Sequence, residues 1–441
     1  MLINYIKLAL KVLGRNKMYS AITLFGISFT LMVLMVILAL YDTEMGANLP
    51  MSEADRMAFV DRIEMKTTYF DTTWTVDSAL VAGEMVYDTL DFSTEEAGHS
   101  ISTGLFSFRA IDEYLVDIEP MERRTILYER NFTVFNEGVK YQMNGLYVDD
   151  EYWNVFDFIF VAGEPLRPEQ VQSAESVMVM SRRIAEEYFG SPEEAIGKTI
   201  PMGGRTFEVM GVVERARTSS SYVNADVYLP LTTGEPTLLS EQGNQGPFRA
   251  VYLAPSVAQL PAMKEALDYA GRNIPIPPDT HFENVRVFPF NLEEKYAFGL
   301  FHEDEIRDNV FYMRLAMFLC LGLFILIPTL NLININLTRM MERASEISVR
   351  KSYGASRGQI LGQFLFENII VTLVGGAIGL ILSLLAIKFI NSSGALPNTV
   401  LGFNGRVFFY SLILCLALGL LSGLLPAWRI SKQQIADGLH Q

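Results

Sequence analysis

Apolar residues are distributed along this chain in two distinct ways. Four stretches contain no Asp, Glu, Lys or Arg at all: Met18 to Tyr41, Leu315 to Leu337, Asn368 to Ile387, and Val407 to Trp428. A helix needs about 20 apolar residues to cross a hydrocarbon core. Four such runs in one chain predict an α-helical membrane protein with four transmembrane helices. Between the first and second runs the pattern changes to short alternations and short helical periodicities, which predict a large α+β domain inserted there.

Several elements of that inserted segment follow from spacing. Ile111, Tyr114, Leu115 and Ile118 share one face of a helix over Arg109 to Ile118. "TILYERNFTVF" and "VKYQMNGLYV" alternate on either side of Asn136, Glu137 and Gly138, the pattern of a hairpin. "SVMVMS" is a short strand of the buried type, and "RRIAEEYFG" a helix ending at Gly190. "KTIPMGGRTFEVMGVVE" predicts a second hairpin, turning at Gly203 and Gly204. "RAVYLAP", a helix from Val257 to Ala270 and "ENVRVFPF" complete a strand-helix-strand unit. The set is compatible with two small subdomains. No pattern is recognised between about Thr67 and Ser107.

Charge gives these segments an orientation. The formal net charge is -15, but it is not evenly spread: Asp42 to Asn309 hold 46 acidic and 21 basic residues, while the rest of the chain holds 4 and 14. Positive flanks stay cytoplasmic, so both termini and the Arg339 to Arg357 loop are expected inside, with the acidic segment outside. The expected layout is a cytoplasmic amphipathic helix over 1–17 and spans over 18–41, 310–338, 357–390 and 407–428. Residues 42–309 form the extracytoplasmic domain, 339–356 a cytoplasmic helix, 391–406 a short outer loop and 429–441 a cytoplasmic tail. The first run has 24 uncharged residues behind a basic leader of Lys7, Lys11, Arg15 and Lys17. It exceeds the usual h-region of about 7–15 residues and no A-x-A-like site follows, so it reads as an uncleaved anchor. Both cysteines, Cys320 and Cys415, fall inside apolar runs, which leaves the outer segment without a disulfide.

No G-x-x-x-x-G-K-[ST] phosphate loop occurs. His99, His281, His302 and His440 have no metal-ligand spacing with each other or with cysteine. The acidic pairs Glu186-Glu187 and Glu193-Glu194 read as solvated faces. Neither a metal nor a cofactor is expected on this chain, nor nucleic acid as a partner.

The most informative charged stretch is "RASEISVRKSYGAS", Arg343 to Ser356, set between two apolar runs. Glu346 precedes Arg350 by four residues, the favourable helical order, worth about 0.2–0.5 kcal/mol. Gly354 suits the left-handed residue that ends a helix. Ser356 and Gln359 form a capping box that starts the next one. The second span is thus expected to continue into a cytoplasmic helix, break at Gly354 and restart as the third span. Elsewhere in the spans, Pro328 can kink its helix, and Asn331, Asn334 and Asn336 can bond across helices. Gly375 and Gly379, like Gly419 and Gly423, have the G-x-x-x-G spacing of close helix approach, within one subunit or across a dimer. Glu367 lies about three turns past the Ser356 cap, where an interhelical or coupling contact is expected.

"ERASEISVRKSYGASRGQILGQFLFENIIV", Glu342 to Val371, resembles the signature of the MacB/FtsX superfamily of ABC transporter permeases. "ALKVLGRNKMYSAITLFGISFTL" is similar to that family's amino-terminal helix and first span. Tyr147 to Leu231 resembles the periplasmic core domain of MacB-type members, and "LPAWRISKQQIADGL" resembles their tail, with Ile435 where proline is common. The resemblance implies that Glu346, Arg350, Lys351, Gly354 and Ala355, flanked by Glu342 and Arg343, form the coupling helix that docks on an ATPase. It implies a dimer of permeases, homomeric or heteromeric, in the bacterial inner membrane. An ABC ATP-binding subunit on a separate chain would bind ATP and Mg and do the hydrolysis, because MacB carries its nucleotide-binding domain ahead of the first span and this chain begins almost at that span.

Under the resemblance, ATP-driven motion would reshape the outer domain and extrude peptides, antibiotics or similar amphiphiles, with a periplasmic adaptor and an outer-membrane duct as further partners. The same layout fits a lipoprotein-releasing permease, and an FtsX-like module signalling to a cell-wall hydrolase. A membrane-anchored sensor without any ATPase is a fourth reading, one in which substitutions between Glu346 and Gly354 would leave function intact.

Overall fold

The computed structural model describes residues 17–81, 84–136, 138–278, 280–301, 306–342, 349, 352–354, 356–396 and 399–431. They fall into two compact units. One comprises Met1–Gly46, Arg217–Ser219 and Glu303–Gln441, and the other Ala47–Ala216 and Ser220–His302.

The first unit is helical: α1 (Lys17–Met45), α6 (Ile306–Glu342), α7 (Arg357–Ser393) and α8 (Gly405–Ser431). Over the described residues, two stretches are long and apolar enough to cross a membrane. They are Ser20–Met45 and Gly358–Ser393, with mean hydropathy 2.5 and 2.6. Gly375 and Gly379 explain how α1 and α7 pack. A Cβ at Gly375 would lie 2.8 Å from Ile27 Cγ2, and one at Gly379 would lie 2.9 Å from Leu31 and 3.0 Å from the Ser28 carbonyl oxygen. Both glycines therefore serve contact with α1 of the same chain.

The second unit is built on one twelve-stranded sheet. Its strands are β1 (Met57–Val81), β2 (Glu84–Phe106), β3 (Arg123–Asn136), β4 (Val139–Val148), β5 (Phe160–Gly163) and β6 (Val177–Ser181), followed by β7 (Thr199–Met202), β8 (Arg205–Val213), β9 (Val227–Pro230), β10 (Gln245–Gly246), β11 (Phe248–Leu253) and β12 (Asn284–Phe290). The order is β10-β2-β1-β11-β3-β4-β9-β6-β8-β5, with β12 on β1 and β7 on β8. Helices α2 (Phe108–Tyr114), α3 (Arg182–Phe189), α4 (Leu260–Arg272) and α5 (Leu292–Phe301) pack around it. Successive side chains of a strand point to opposite faces, and here both faces are covered. Ala58, Val60, Ile126, Tyr128, Met178 and Met180 enter one core, while Met57, Phe59, Leu127, Val177 and Val179 enter the other. That is why "VMVM" is apolar at every position. One sheet carries both cores.

The hairpins form where turn chemistry predicts them. Asn136 pairs with Val139, with Gly138 at φ 83°, and Met202 pairs with Arg205 across Gly203 and Gly204, both at positive φ. Helix α3 stops at Gly190, φ 95°. The helix expected over Arg109 to Ile118 is shorter, ending at Tyr114. Its last carbonyls are taken by side chains from the sheet: Arg124 donates to the Ile111 carbonyl at 3.0 Å, and the Tyr252 hydroxyl to that of Leu115 at 2.8 Å. Leu115 and Ile118 still reach the core, from the bends that follow the helix.

One carboxyl in this sheet couples stability to pH. Asp149 accepts from the Thr125 hydroxyl at 2.6 Å and the Ile126 amide at 2.7 Å. Burial nevertheless outweighs those bonds and pushes it up to about 7. Between the unfolded value and 7 the folded state therefore binds the extra proton, so stability is fully present below the unfolded pKa and falls as pH rises through 7. Thermal melting of the full chain from pH 5 to 8 should show this decline, at most about 1.4 kcal/mol per pH unit from this one group. Asp149→Asn should flatten it, and an equally steep decline in that variant would assign the effect elsewhere.

Candidate functional site

Helix α1 ends "YDTEMG", with Asp42 and Glu44 as its first charges after the apolar run. Carboxylates at a helix C-terminus face the negative end of the macrodipole and need donors to offset it. Within the first unit both find them. Glu44 accepts from Thr218 Oγ1 at 3.1 Å, from Ser219 Oγ at 2.8 Å, from the Ser219 amide at 3.2 Å, and from Thr399 Oγ1 at 2.9 Å. Asn404 Nδ2 donates to Asp42 at 2.8 Å. The Val400 amide donates to the Arg217 carbonyl at 3.0 Å, and Asn391 both accepts from the Leu401 amide and donates to its carbonyl. Thr218 and Thr399 are buried, and both hydroxyls donate to this carboxylate.

The arrangement joins three distant parts of the sequence: the end of α1, a three-residue segment lying deep within the 42–309 stretch, and the link between α7 and α8. A carboxylate surrounded by hydroxyl and amide donors holds geometry. Among the described residues no group of three or more His, Cys, Asp or Glu side chains is placed to hold a metal ion.

Just beyond that segment, in the second unit, a second charged cluster fixes the chain. Lys295 on α5 pairs with Asp61 of β1 and donates to the Tyr222 hydroxyl at 2.9 Å, with its ammonium 4.1 Å from the Tyr222 ring centroid. Arg249 donates to Ser221 Oγ at 2.6 Å and to Glu129 at 3.0 Å. Burial pulls Lys295 below the ordinary lysine value, opposed by Asp61. A partly buried pair of this kind is destabilising to break from one side, because the remaining charge is left without its partner.

Of the residues singled out for coupling, Glu342 and Gly354 are described, and both belong to the first unit. Glu342 is the last residue of α6. Gly354 has φ +90°, and Ser356 caps α7, with its amide donating to Gln359 Oε1 at 2.9 Å and its hydroxyl accepting from the Gln359 amide at 3.3 Å. Arg343, Glu346, Arg350, Lys351 and Ala355 lie outside the described residues. Pro328 lies within α6, and Gly419 and Gly423 within α8. Glu367 is half-buried on α7. The Glu44 joint was not foreseen, since a lone Thr399 and a "TSS" triplet have no local signature; the available signal was the pair of carboxylates placed where a helix end disfavours them.

Comparisons with known proteins cover both units. Residues 20–269 match the model of the MacB-like periplasmic core domain, and residues 318–435 that of the FtsX-like permease C-terminal domain. The ABC transporter permease YknZ of Bacillus subtilis is 25% identical over 293 residues, 66% of this chain and 68% of that protein. The macrolide export ATP-binding/permease protein MacB of Shigella boydii is 24% identical over 441 residues, 98% of this chain and 60% of that protein. Among solved structures, the periplasmic region of MacB from Actinobacillus actinomycetemcomitans aligns with a TM-score of 0.32 and 16% identity, covering 44% of this chain and 82% of that one.

Proposed function

The chain belongs to the MacB/FtsX superfamily of ABC transporter permeases, and from that premise we propose that it is the membrane subunit through which a separate ATP-binding subunit moves an exported domain. In this reading four helices span the inner membrane, over 18–41, 310–338, 357–390 and 407–428. The termini are cytoplasmic, residues 42–309 lie outside, and 339–356 form the helix on which the ATPase bears. Two copies of the chain, or this chain and a relative, complete the transporter. Its cargo is peptides, antibiotics or similar amphiphiles, handled by the outer domain.

The observation that carries the reading is the start of α7, a helix of 37 residues, where Gly354 at φ +90° precedes the reciprocal Ser356 and Gln359 cap. A push on a firmly capped helix start moves that helix as a rigid body. The grouping of residues 217–219 with the helical unit supports the next step. Helix motion then reaches the outer domain through the peptide bonds at 216–217 and 219–220 as well as those at 46–47 and 302–303.

The test is mass spectrometry of proteins co-purifying with the tagged chain from native membranes, beside a Glu346→Lys, Arg350→Glu, Gly354→Pro variant. An ABC ATPase is expected with the unmodified chain and not with the variant, at least tenfold reduced. An accompanying adaptor protein would support extrusion, and an acylated protein would support lipoprotein release. Absence of any ATPase from both samples after crosslinking would sink the coupling reading and favour a sensor.

A further inference from the structure

The stretch in which the sequence shows no recognisable pattern includes exposed aromatic side chains. Strand β1 pairs with β11 only through Val60 and with β12 only through Lys66, and β2 meets β10 and β11 only at Leu105 and Phe106. From Thr67 to Val81 and from Glu84 to Ser100 the two strands pair with each other and, among the described residues, with no third strand. Fifteen residues of strand make a ribbon of about 50 Å. Two-stranded ribbons are marginal in water without something packed on them.

The ribbon's two faces differ. Phe70, Thr72 and Trp74 alternate on one face of β1, opposite Glu96, Thr94 and Phe92. Trp74 and Phe92 touch, with ring centroids 5.4 Å apart, yet Phe70, Trp74 and Phe92 remain 57%, 58% and 59% exposed. The other face presents Asp71 directly opposite Glu95, both exposed, with Thr73 opposite Ser93. Like charges directly opposite disfavour the pairing, so this placement is a cost to the free ribbon. No Lys or Arg occurs between Lys66 and Arg109, whereas Asp71, Asp77, Glu84, Asp88, Asp91, Glu95 and Glu96 do. Register shifts at Tyr69/Phe70 and Thr75/Val76 bend the strands, which discourages addition of a further strand along an edge.

We infer that this ribbon is a docking arm for a second protein, one whose surface offers an apolar patch for Phe70, Trp74 and Phe92 within a rim of lysine or arginine. Charge complementarity selects that occupant. A second copy of the ribbon would bring the same acidic residues together, and anionic lipid headgroups would be repelled in the same way. The inference goes beyond the coupling reading and does not depend on it, since it needs only the ribbon's exposure.

The test uses the full-length chain in native membranes with p-benzoylphenylalanine at position 70. Photolysis is expected to give an adduct with a different protein whose own sequence is net basic. The adduct's yield should fall at least tenfold on Asp71→Lys and further on Asp71→Lys with Glu95→Lys. The single variant places a cation opposite Glu95, which favours the ribbon, so a lost adduct there reports docking and not unfolding. The purified partner should then bind the detergent-solubilised chain at least tenfold more weakly when Asp71 is lysine. An adduct between two copies of the chain, an adduct with lipid, no adduct, or a protein adduct indifferent to both charge reversals would each overturn the inference.

Discussion

Glu44→Ala in the full chain is expected to accelerate tryptic cleavage after Arg217 by about 30- to 1,000-fold, the equivalent of about 2–4 kcal/mol of local stability. The carboxylate accepts from Thr218, Ser219 and Thr399. Its removal deprives two buried hydroxyls of this acceptor, while the Val400 amide still donates to the Arg217 carbonyl. Hydrogen bonds to charged groups contribute about 1.5–3 kcal/mol each, but Glu44 is half-buried and the hydroxyls can rotate, so the sum falls well short of simple addition. Glu44→Gln keeps one acceptor oxygen and should lie between the two. Proteolysis with time-resolved mass spectrometry reads the segment directly. Equal cleavage rates in Glu44→Ala and the unmodified chain would show that the carboxylate does not restrain residues 217–219. Under the proposed function the same variant should leave the ATPase bound while weakening the response of the outer domain to ATP.

Gly163→Ala is expected to be the more damaging change for folding, at about 4 kcal/mol or more, which is exceptional for one methyl group. Gly163 lies at φ +67°, where a Cβ costs about 1–2 kcal/mol by itself. The added Cβ would also lie 2.1 Å from the Met210 carbonyl oxygen and 2.8 Å from Gly211 Cα, and both are backbone atoms that no side-chain rotation can move. Gly163 pairs with Gly211 across β5 and β8, and a Cβ on Gly211 would meet the Glu164 carbonyl oxygen at 2.3 Å. These two glycines let the outermost strand close onto the sheet. The control is Gly138→Ala, at φ +83° with nothing within 4 Å of the added Cβ, which should cost only about 1 kcal/mol. Thermal melting of both variants separates conformational strain from collision. A Gly163 variant that melts with the Gly138 variant would show that β5 can shift aside.

Particular residues show how far the sequence reached. Gly203 and Gly204, Gly190, and the Ser356 and Gln359 pair each act within four residues of themselves, so their turns, stop and cap were readable without a fold. The uncharged runs and the separation of acidic from basic residues were equally plain, because the bilayer acts on composition over about 20 residues and not on particular contacts. Membership of the MacB/FtsX superfamily was legible for the same reason, being carried by contiguous stretches such as Glu342 to Val371.

Other features depend on partners distant in the chain. Helix α2 was read four residues too long because its apolar spacing continues to Ile118, whereas Arg124 and Tyr252 take its last carbonyls from strands that local periodicity cannot see. Thr399 meets Glu44 across 355 residues of sequence, and neither residue signals the other. Gly163 looks like any loop glycine until Gly211 is placed opposite it. The ribbon after Lys66 carries few of the strict alternations that mark a half-buried strand, because neither of its faces lies against a core. The membrane class, the charge asymmetry, the turns and the family rest on short-range or averaged properties of the sequence. Long-range packing sets β6 parallel to β8 and antiparallel to β9, lets one sheet feed two cores, and groups residues 217–219 with the helices. Those outcomes come from complementary pairing of surfaces, which has no counterpart in any single stretch of the chain.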